Sequence, residues 1–101
     1  MKAAGWVLAA VLSLPCLAGA ATHVVTMEGI GFVPATVTVK RGDKVVWRNK
    51  DLVPHTATAP GTFDSRQIGV GKSWTWTAKA PGRHEYVCTY HPGMKGVVTV
   101  Q

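Results

Sequence analysis

In "YVCTYHPGM" (residues 86–94), Cys88, His91 and Met94 recur at every third position, in a stretch whose Pro92 and Gly93 argue against a helix. A thiol near an imidazole suggests three chemistries. A nucleophilic cysteine with His91 as its base needs an oxyanion hole and an orienting partner; no Asp or Asn stands alongside, and Met94 is left without a role. A zinc site prefers several thiolates or several imidazoles, and a thioether is a poor zinc ligand. Thiolate and thioether together point to copper. A site that cycles between Cu(I) and Cu(II) is suited by two imidazoles and a thiolate near one plane, with a methionine sulfur bound weakly along the axis.

That pattern asks for a second imidazole, and the remaining candidates are His23, His55 and His84. His84 stands four residues before Cys88 on an apparent strand, roughly 13 Å from the thiol at about 3.3 Å per residue, too far to share an ion. Its parity matches Tyr86 and Cys88, so it is expected to point inward as a core or half-buried residue. Nothing ties His23 to the other ligands. His55 follows the polar turn "NKDLVP" and opens a strand after Pro54, where a loop beyond Cys88 can come up beside it. The candidate metal ligands are therefore His55, Cys88, His91 and Met94.

The elements that must position them are strands. Period-two alternation runs through "HVVTME" (23–28), "TVTVK" (36–40), "KVVWRN" (44–49), "HTATA" (55–59), "SWTWTA" (73–78), "HEYVC" (84–88) and "VVTV" (97–100). Turn signals separate them at Arg41-Gly42-Asp43, Ala59-Pro60-Gly61, Ala80-Pro81-Gly82 and Pro92-Gly93, and 60–72 is the longest irregular piece. The spacing predicts an all-β fold, an antiparallel sandwich or barrel of about seven strands. Phe32, Trp47, Trp74 and Trp76 are its expected large core or core-edge residues. Asp43, Asp51, Asp64, Glu28 and Glu85 are too dispersed to make a catalytic carboxylate pair; Asp51 and Asp64 are read as loop organisers.

Residues 1–20 read as a cleaved signal peptide: Lys2, the apolar run "AAGWVLAAVLSL", the breaker Pro15 and the small-residue end "LAGA". At about a dozen residues the run is too short to span a bilayer, and no membrane anchor is expected. The expected domain, 21–101, keeps one cysteine, Cys88, with no disulfide partner, and metal ligation would protect it in an oxidising compartment. It carries ten basic against five acidic residues, dispersed from Lys40 to Lys95, and lacks the basic stripe with interleaved aromatics that nucleic-acid binding wants. A chain starting Ala21-Thr22-His23 also offers an amine, two amides and an imidazole, a set suited to a second, square-planar Cu(II) site, although a strand residue at a terminus is the preferred reading of His23.

"WRNKDLVPHT", "FDS", "PGRHEYVCTYHPGM" and "KGVVTV" together resemble the cupredoxins, the blue copper proteins, over nearly all of 21–101. The short Cys-x-x-His-x-x-Met loop is most similar to that of the amicyanin branch. The resemblance implies an antiparallel Greek-key β-sandwich of about seven to eight strands, and one copper ion with His55, Cys88 and His91 as strong ligands and Met94 as the weak axial one. Many cupredoxins have Asn after the first histidine; here Thr56 stands there and Thr89 follows Cys88, so a Thr56–Thr89 hydrogen bond is the expected substitute. His84 stands where relatives usually have a core aromatic residue.

The resemblance further implies a periplasmic, monomeric one-electron carrier rather than an enzyme, working between a donor dehydrogenase or other redox protein and a cytochrome-type acceptor. By position, His91 is the electron port, with Pro54, Pro92 and Tyr90 as its apolar surround. Lys50 and Lys95, with Arg48 nearby, suggest a positive rim that steers an acidic partner. The alternative is copper trafficking or storage, but only Met27 and Met94 remain in 21–101, without the exposed Met or Cys cluster expected of a protein that hands over Cu(I).

Overall fold

The computed structural model of the protein describes residues 19–101. The expected signal peptide lies outside the described residues except for Gly19 and Ala20. Among the described residues there are nine strands and no helix: β1 (Thr22–Met27), β2 (Phe32–Val33), β3 (Thr36–Val39), β4 (Lys44–Asn49), β5 (Thr58–Ala59), β6 (Phe63–Asp64), β7 (Ser73–Thr77), β8 (Gly82–Cys88) and β9 (His91–Val100). They form two sheets, ordered β2-β1-β4-β7 and β3-β9-β8-β5-β6.

The sandwich is mixed rather than wholly antiparallel. β1 runs parallel to β4, and β3 parallel to β9. The chain leaves the first sheet after β2, contributes β3 to the second, and returns for β4. A connection routed through the opposite sheet brings the chain back in at the same end, so β1 and β4 are neighbours with one direction. The other pairings are antiparallel.

Alternation explains which face is buried. Val25 and Met27 on β1, Val45 and Trp47 on β4, Tyr86 and Cys88 on β8, and Met94, Val98 and Val100 on β9 all point into the core. Trp47 is the hub. Its ring lies 5.6 Å from Trp74 in its own sheet, and across the interface 5.1 Å from Phe63 and 5.3 Å from Tyr86, the last edge-on. Phe32 meets Tyr86 edge-on at 4.6 Å. Offset and edge-to-face pairs at such separations add to area burial. Trp74 and Trp76 are partly buried and packed against this core. Gly96 pairs with Tyr86 across β8 and β9, and a Cβ there would run into the tyrosine ring.

The segments that carry the candidate ligands depart from simple alternation. The reading of 55–59 as a strand holds only for β5; upstream, His55 makes an isolated antiparallel bridge to Ile68. Pro92-Gly93 is not the turn: the chain reverses at Thr89-Tyr90, and β9 starts at His91. Pro92 is tolerated because β3 pairs with β9 only from Val97 onward, so no strand awaits a donor at residue 92 on that side.

Candidate metal centre

Two residues, Thr89 and Tyr90, close the β8–β9 hairpin, and Cys88 faces His91 across it as a Cα pair. The next pair is Val87 with Lys95, so Pro92, Gly93 and Met94 are extra residues opposite one step of β8. An insertion of this kind re-aims the side chains beside it. Here it returns Met94 to the inner face, 2% exposed and in the same core cluster as Cys88.

His55 comes from the other loop. Its backbone is held by two bonds to Ile68, His55 N to Ile68 O at 3.2 Å and Ile68 N to His55 O at 2.7 Å. Its side chain is fully buried, and Nε2 lies 2.7 Å from Asp51 Oδ2. Asp51 also accepts the backbone N–H groups of Gly29 (2.7 Å) and Ile30 (2.9 Å). Burial works against ionising Asp51, but the bonds from Ile30, His55 and Gly29 outweigh it and hold its pKa below the ordinary carboxylate value. An ionised carboxylate only accepts, so Nε2 carries the proton and Nδ1 keeps its lone pair for an ion. Asn49 braces the same loop. It is buried, its Oδ1 accepts from Asp51 N at 2.9 Å, and its amide donates to Val53 O (2.9 Å) and Ile68 O (3.1 Å).

The lone pair of His55 Nδ1 points at company. Cys88 Sγ lies 3.7 Å from His55 Nδ1 and 3.7 Å from His91 Nδ1. The donor atoms of His55, Cys88 and His91 all fall within 4.8 Å of one another. Nitrogen and sulfur bound to one ion at about 2.0–2.3 Å, 120° apart, would be roughly 3.6–3.8 Å from each other. The two sulfur–nitrogen separations meet that demand, and the donor set suits copper. The N–H of Thr56 donates to Cys88 Sγ at 3.3 Å. Thr56 Oγ1 accepts from Thr89 N at 2.9 Å and lies 3.2 Å from Thr89 Oγ1, so the two ligand-bearing loops are pinned together. Thr56 Oγ1 in turn meets Thr58 Oγ1 at 3.1 Å, and Thr58 donates to Asp64 at 3.2 Å.

Around this group, Pro54, Pro92, Lys50 and Lys95 are exposed and His91 is half-buried. Tyr90 is 47% exposed and its hydroxyl donates to Gln67 Oε1 at 3.1 Å. Sequence reasoning missed two features here. Leu52 is 90% exposed between Asp51 and Val53, an apolar tip in a turn read only as polar. Asp51 does organise its loop, but it also orients His55. The one available signal was an Asp four residues before the ligand.

The other histidines stand apart. His84 is half-buried as expected, donating from Nε2 to Ala80 O at 2.7 Å with its ring 6.1 Å from Trp76. The square-planar arrangement open to Ala21-Thr22-His23 is not formed, and the preferred reading of His23 as a strand residue is the one seen. Thr22 and His23 are extended in β1 against Lys44 and Val45, and His23 Nε2 sits 2.9 Å from Asp43 Oδ2. A planar wrap around one ion would have to unpair the start of that strand.

The sequence model of the cupredoxin-like domain matches residues 2–100. The chain is similar to amicyanin-alpha of Methylorubrum extorquens (32% identical over 76 residues, 69% of this chain and 64% of the relative). It is similar to amicyanin of Paracoccus versutus (29% over 84 residues, 77% and 64%) and to chloroplastic plastocyanin of Physcomitrium patens (34% over 111 residues, 92% and 66%). The chain thus spans less than two thirds of the length of these relatives. Among solved structures it is similar to the Cu(I) form of a methionine-to-alanine mutant of amicyanin, with a TM-score of 0.73 and 26% identity over 79% of this chain and 82% of that one. The oxidised state of a proline-to-alanine amicyanin mutant matches with a TM-score of 0.73, 27% identity, and the same coverage.

Proposed function

The chain belongs to the cupredoxin-like family, and from that premise we propose that it is a one-electron carrier holding a single copper ion. His55, Cys88 and His91 would hold it strongly and Met94 would hold it weakly. One observation carries the reading: the three donor atoms, from two loops, lie within 4.8 Å of one another. A solved relative described as a Cu(I) form supports the choice of metal. Bound copper would supply reversible Cu(I)/Cu(II) chemistry.

The chain's own residues supply the rest. Asp51 fixes the tautomer and ring plane of His55, Thr56 N–H polarises the sulfur, and the Thr56–Thr89 bonds hold the two loops at one spacing. A site so braced changes little when an electron arrives or leaves. Closing it with four protein groups leaves no position for a substrate, which favours a carrier over an enzyme. His91 is the half-buried ligand, flanked by exposed Tyr90 and Pro92, with Pro54 and Leu52 exposed on the His55 loop. Its ring edge is the electron port. Exposed Arg48, Lys50 and Lys95 favour an acidic partner. The partners proposed are a dehydrogenase or similar donor and a cytochrome-type acceptor, met by a monomer in the periplasm.

The test is the visible spectrum of the protein loaded with Cu(II) and then treated with ascorbate. We expect an intense blue thiolate-to-copper band that bleaches on reduction and returns on reoxidation, with copper retained against a chelator throughout. A pale complex, or copper that leaves on reduction, refutes the carrier reading and favours trafficking.

A further inference from the structure

Away from the metal centre, Asp43 gathers donors. Its Oδ1 accepts the N–H of Ala21 at 2.9 Å; its Oδ2 lies 2.9 Å from both Lys40 N and His23 Nε2. The residue is 6% exposed and sits at the floor of an open cleft of about 290 Å³ that Gly19, Ala21, His23, Lys40 and Gln101 also line. Asp43 closes the β3–β4 turn, where its own N–H bonds Lys40 O, and its carbonyl accepts from Ala78 N. This enclosed carboxylate accepts bonds from two backbone N–H groups and meets His23, and among the described residues no lysine or arginine is ion-paired with it.

The backbone beside it explains what is missing. Among the described residues, Ala21 is the first that is hydrogen-bonded to the fold: its carbonyl accepts from Lys44 N at 2.9 Å, its nitrogen meets Asp43, and β1 starts at Thr22. Gly19 and Ala20 are exposed and outside any strand. The Ala20–Ala21 peptide is thus the last bond that can be cut without removing one of these contacts, and the small residues Ala18-Gly19-Ala20 precede it.

We infer that Asp43 is a receptor for a free α-amino terminus at Ala21, so that processing between Ala20 and Ala21 installs the cation its carboxylate lacks. Hydrolysis there, by a signal-type endopeptidase, consumes one water: its hydroxyl goes to the Ala20 carbonyl carbon and its other proton to the Ala21 nitrogen, which keeps its own amide hydrogen and also takes up the proton that the new carboxyl releases, so that a carboxylate and an ammonium result. A bond from a neutral N–H to the carboxylate becomes an ion pair with no movement of the chain, both partners now charged. The terminus is then locked beside β4 and is withheld, with His23, from exogenous metal. This inference does not depend on copper at the other site.

The full chain is produced with its leader in an exporting bacterial host, and the intact mass and N-terminal sequence of the product are read. A start at Ala21 is expected; any other start overturns the inference. The thermal midpoint of that product is then compared with the same chain carrying one additional N-terminal glycine, which restores a neutral amide at Ala21. The free amine is expected to raise the midpoint by roughly 4–8 °C, the span that one such contact covers in a domain of this size. In an Asp43→Asn background it is expected to make no difference. A rise that survives Asp43→Asn, or no rise in the unsubstituted protein, overturns the inference. A readout without a variant is the rate at which an activated ester acylates the α-amine: roughly tenfold slower in the folded than in the unfolded protein is expected, and equal rates overturn it.

Discussion

Replacing Asp51 by asparagine tests whether a carboxylate behind His55 sets the metal centre. The substitution keeps size and shape but changes what the side chain accepts. Asp51 receives three donors: His55 Nε2 and Ile30 N on Oδ2, and Gly29 N on Oδ1. Asparagine has one acceptor oxygen, so its amide must face either Gly29 N–H or His55. In the second orientation the ring is driven to carry its proton on Nδ1, the nitrogen that stands 3.7 Å from Cys88 Sγ and is needed for the ion. Losing a hydrogen bond to a charged group costs about 1.5–3 kcal/mol. Removing a partner behind a metal-bound histidine typically costs about 10–100-fold in affinity, or roughly 1.4–2.7 kcal/mol, so two independent routes agree. Competition of the protein with a calibrated copper chelator, followed through the visible band, should show a loss within that range. The apo-protein midpoint reports separately on the Gly29 and Ile30 bonds, and the titration is run where both apo-proteins are folded. An Asp51→Asn protein that binds copper within about twofold of the parent would refute the tautomer argument.

Three further outcomes follow from the core and the β3–β4 turn. Gly96→Ala places a Cβ against the ring of Tyr86, with a core aromatic and its cross-strand partner unable to separate; urea unfolding should show a loss of about 1–3 kcal/mol, and an unchanged midpoint would mean the ring yields. Among the described residues Tyr86 Oη is buried with no partner at full hydrogen-bond geometry, the Trp47 indole N–H falling short of it, and burial, opposed by that N–H, pushes its pKa up to about 12; Tyr86→Phe should therefore leave stability equal or greater, and a loss above about 1 kcal/mol in urea would contradict this. Asp43 is held below its ordinary 3.8, at about 2, by the N–H of Lys40, then His23 and Ala21 N. A depressed carboxylate stabilises the fold above its unfolded value and loses that contribution as the pH falls. The thermal midpoint should therefore drop between pH 4 and about 2, less steeply in Asp43→Asn, and superimposable curves would exclude the assignment.

How much of this was legible depended on how local the cause was. β4 follows the sequence pattern to the residue because its alternation of Lys44, Val45, Val46, Trp47, Arg48 and Asn49 reports its own burial. The stretch 55–59 alternates just as well, yet only Thr58–Ala59 is a strand. Ala57 N donates to Ser65 Oγ, its carbonyl accepts from Ser65 N, and His55 bridges Ile68. Alternation reports a half-buried extended chain but not whether its neighbour is regular. The parallel pairings were hidden for a related reason, since strand direction is set by the route between sheets. The two carboxylate clusters were least legible. Asp51 meets Gly29 and Asp43 meets Ala21 at a separation of 22 residues each, contacts made only once β1 and β4 lie side by side.

The even spacing of Cys88, His91 and Met94 conceals two unlike backbone devices. The first interval is a hairpin turn, which sets His91 opposite Cys88; the second is an insertion on one strand, which turns Met94 back to the inner face before the Val87–Lys95 pair resumes. Lengthening each by one glycine separates their roles. A residue added between Thr89 and Tyr90 moves His91 out of register with Cys88, and the 3.7 Å separation of sulfur and Nδ1 cannot survive an added 3.3 Å or so of chain. A residue added between Pro92 and Gly93 leaves the hairpin and the three strong donors in place and displaces only Met94. Extra residues there enlarge an existing irregularity rather than break a ladder. The first variant should lose the blue band and its tight copper binding. The second should keep the band and shift the reduction potential, because a weakly held methionine sulfur, the role proposed for Met94, would tune it. If both insertions abolish the band alike, the two intervals act as one rigid loop, and the division of labour between hairpin and bulge is wrong.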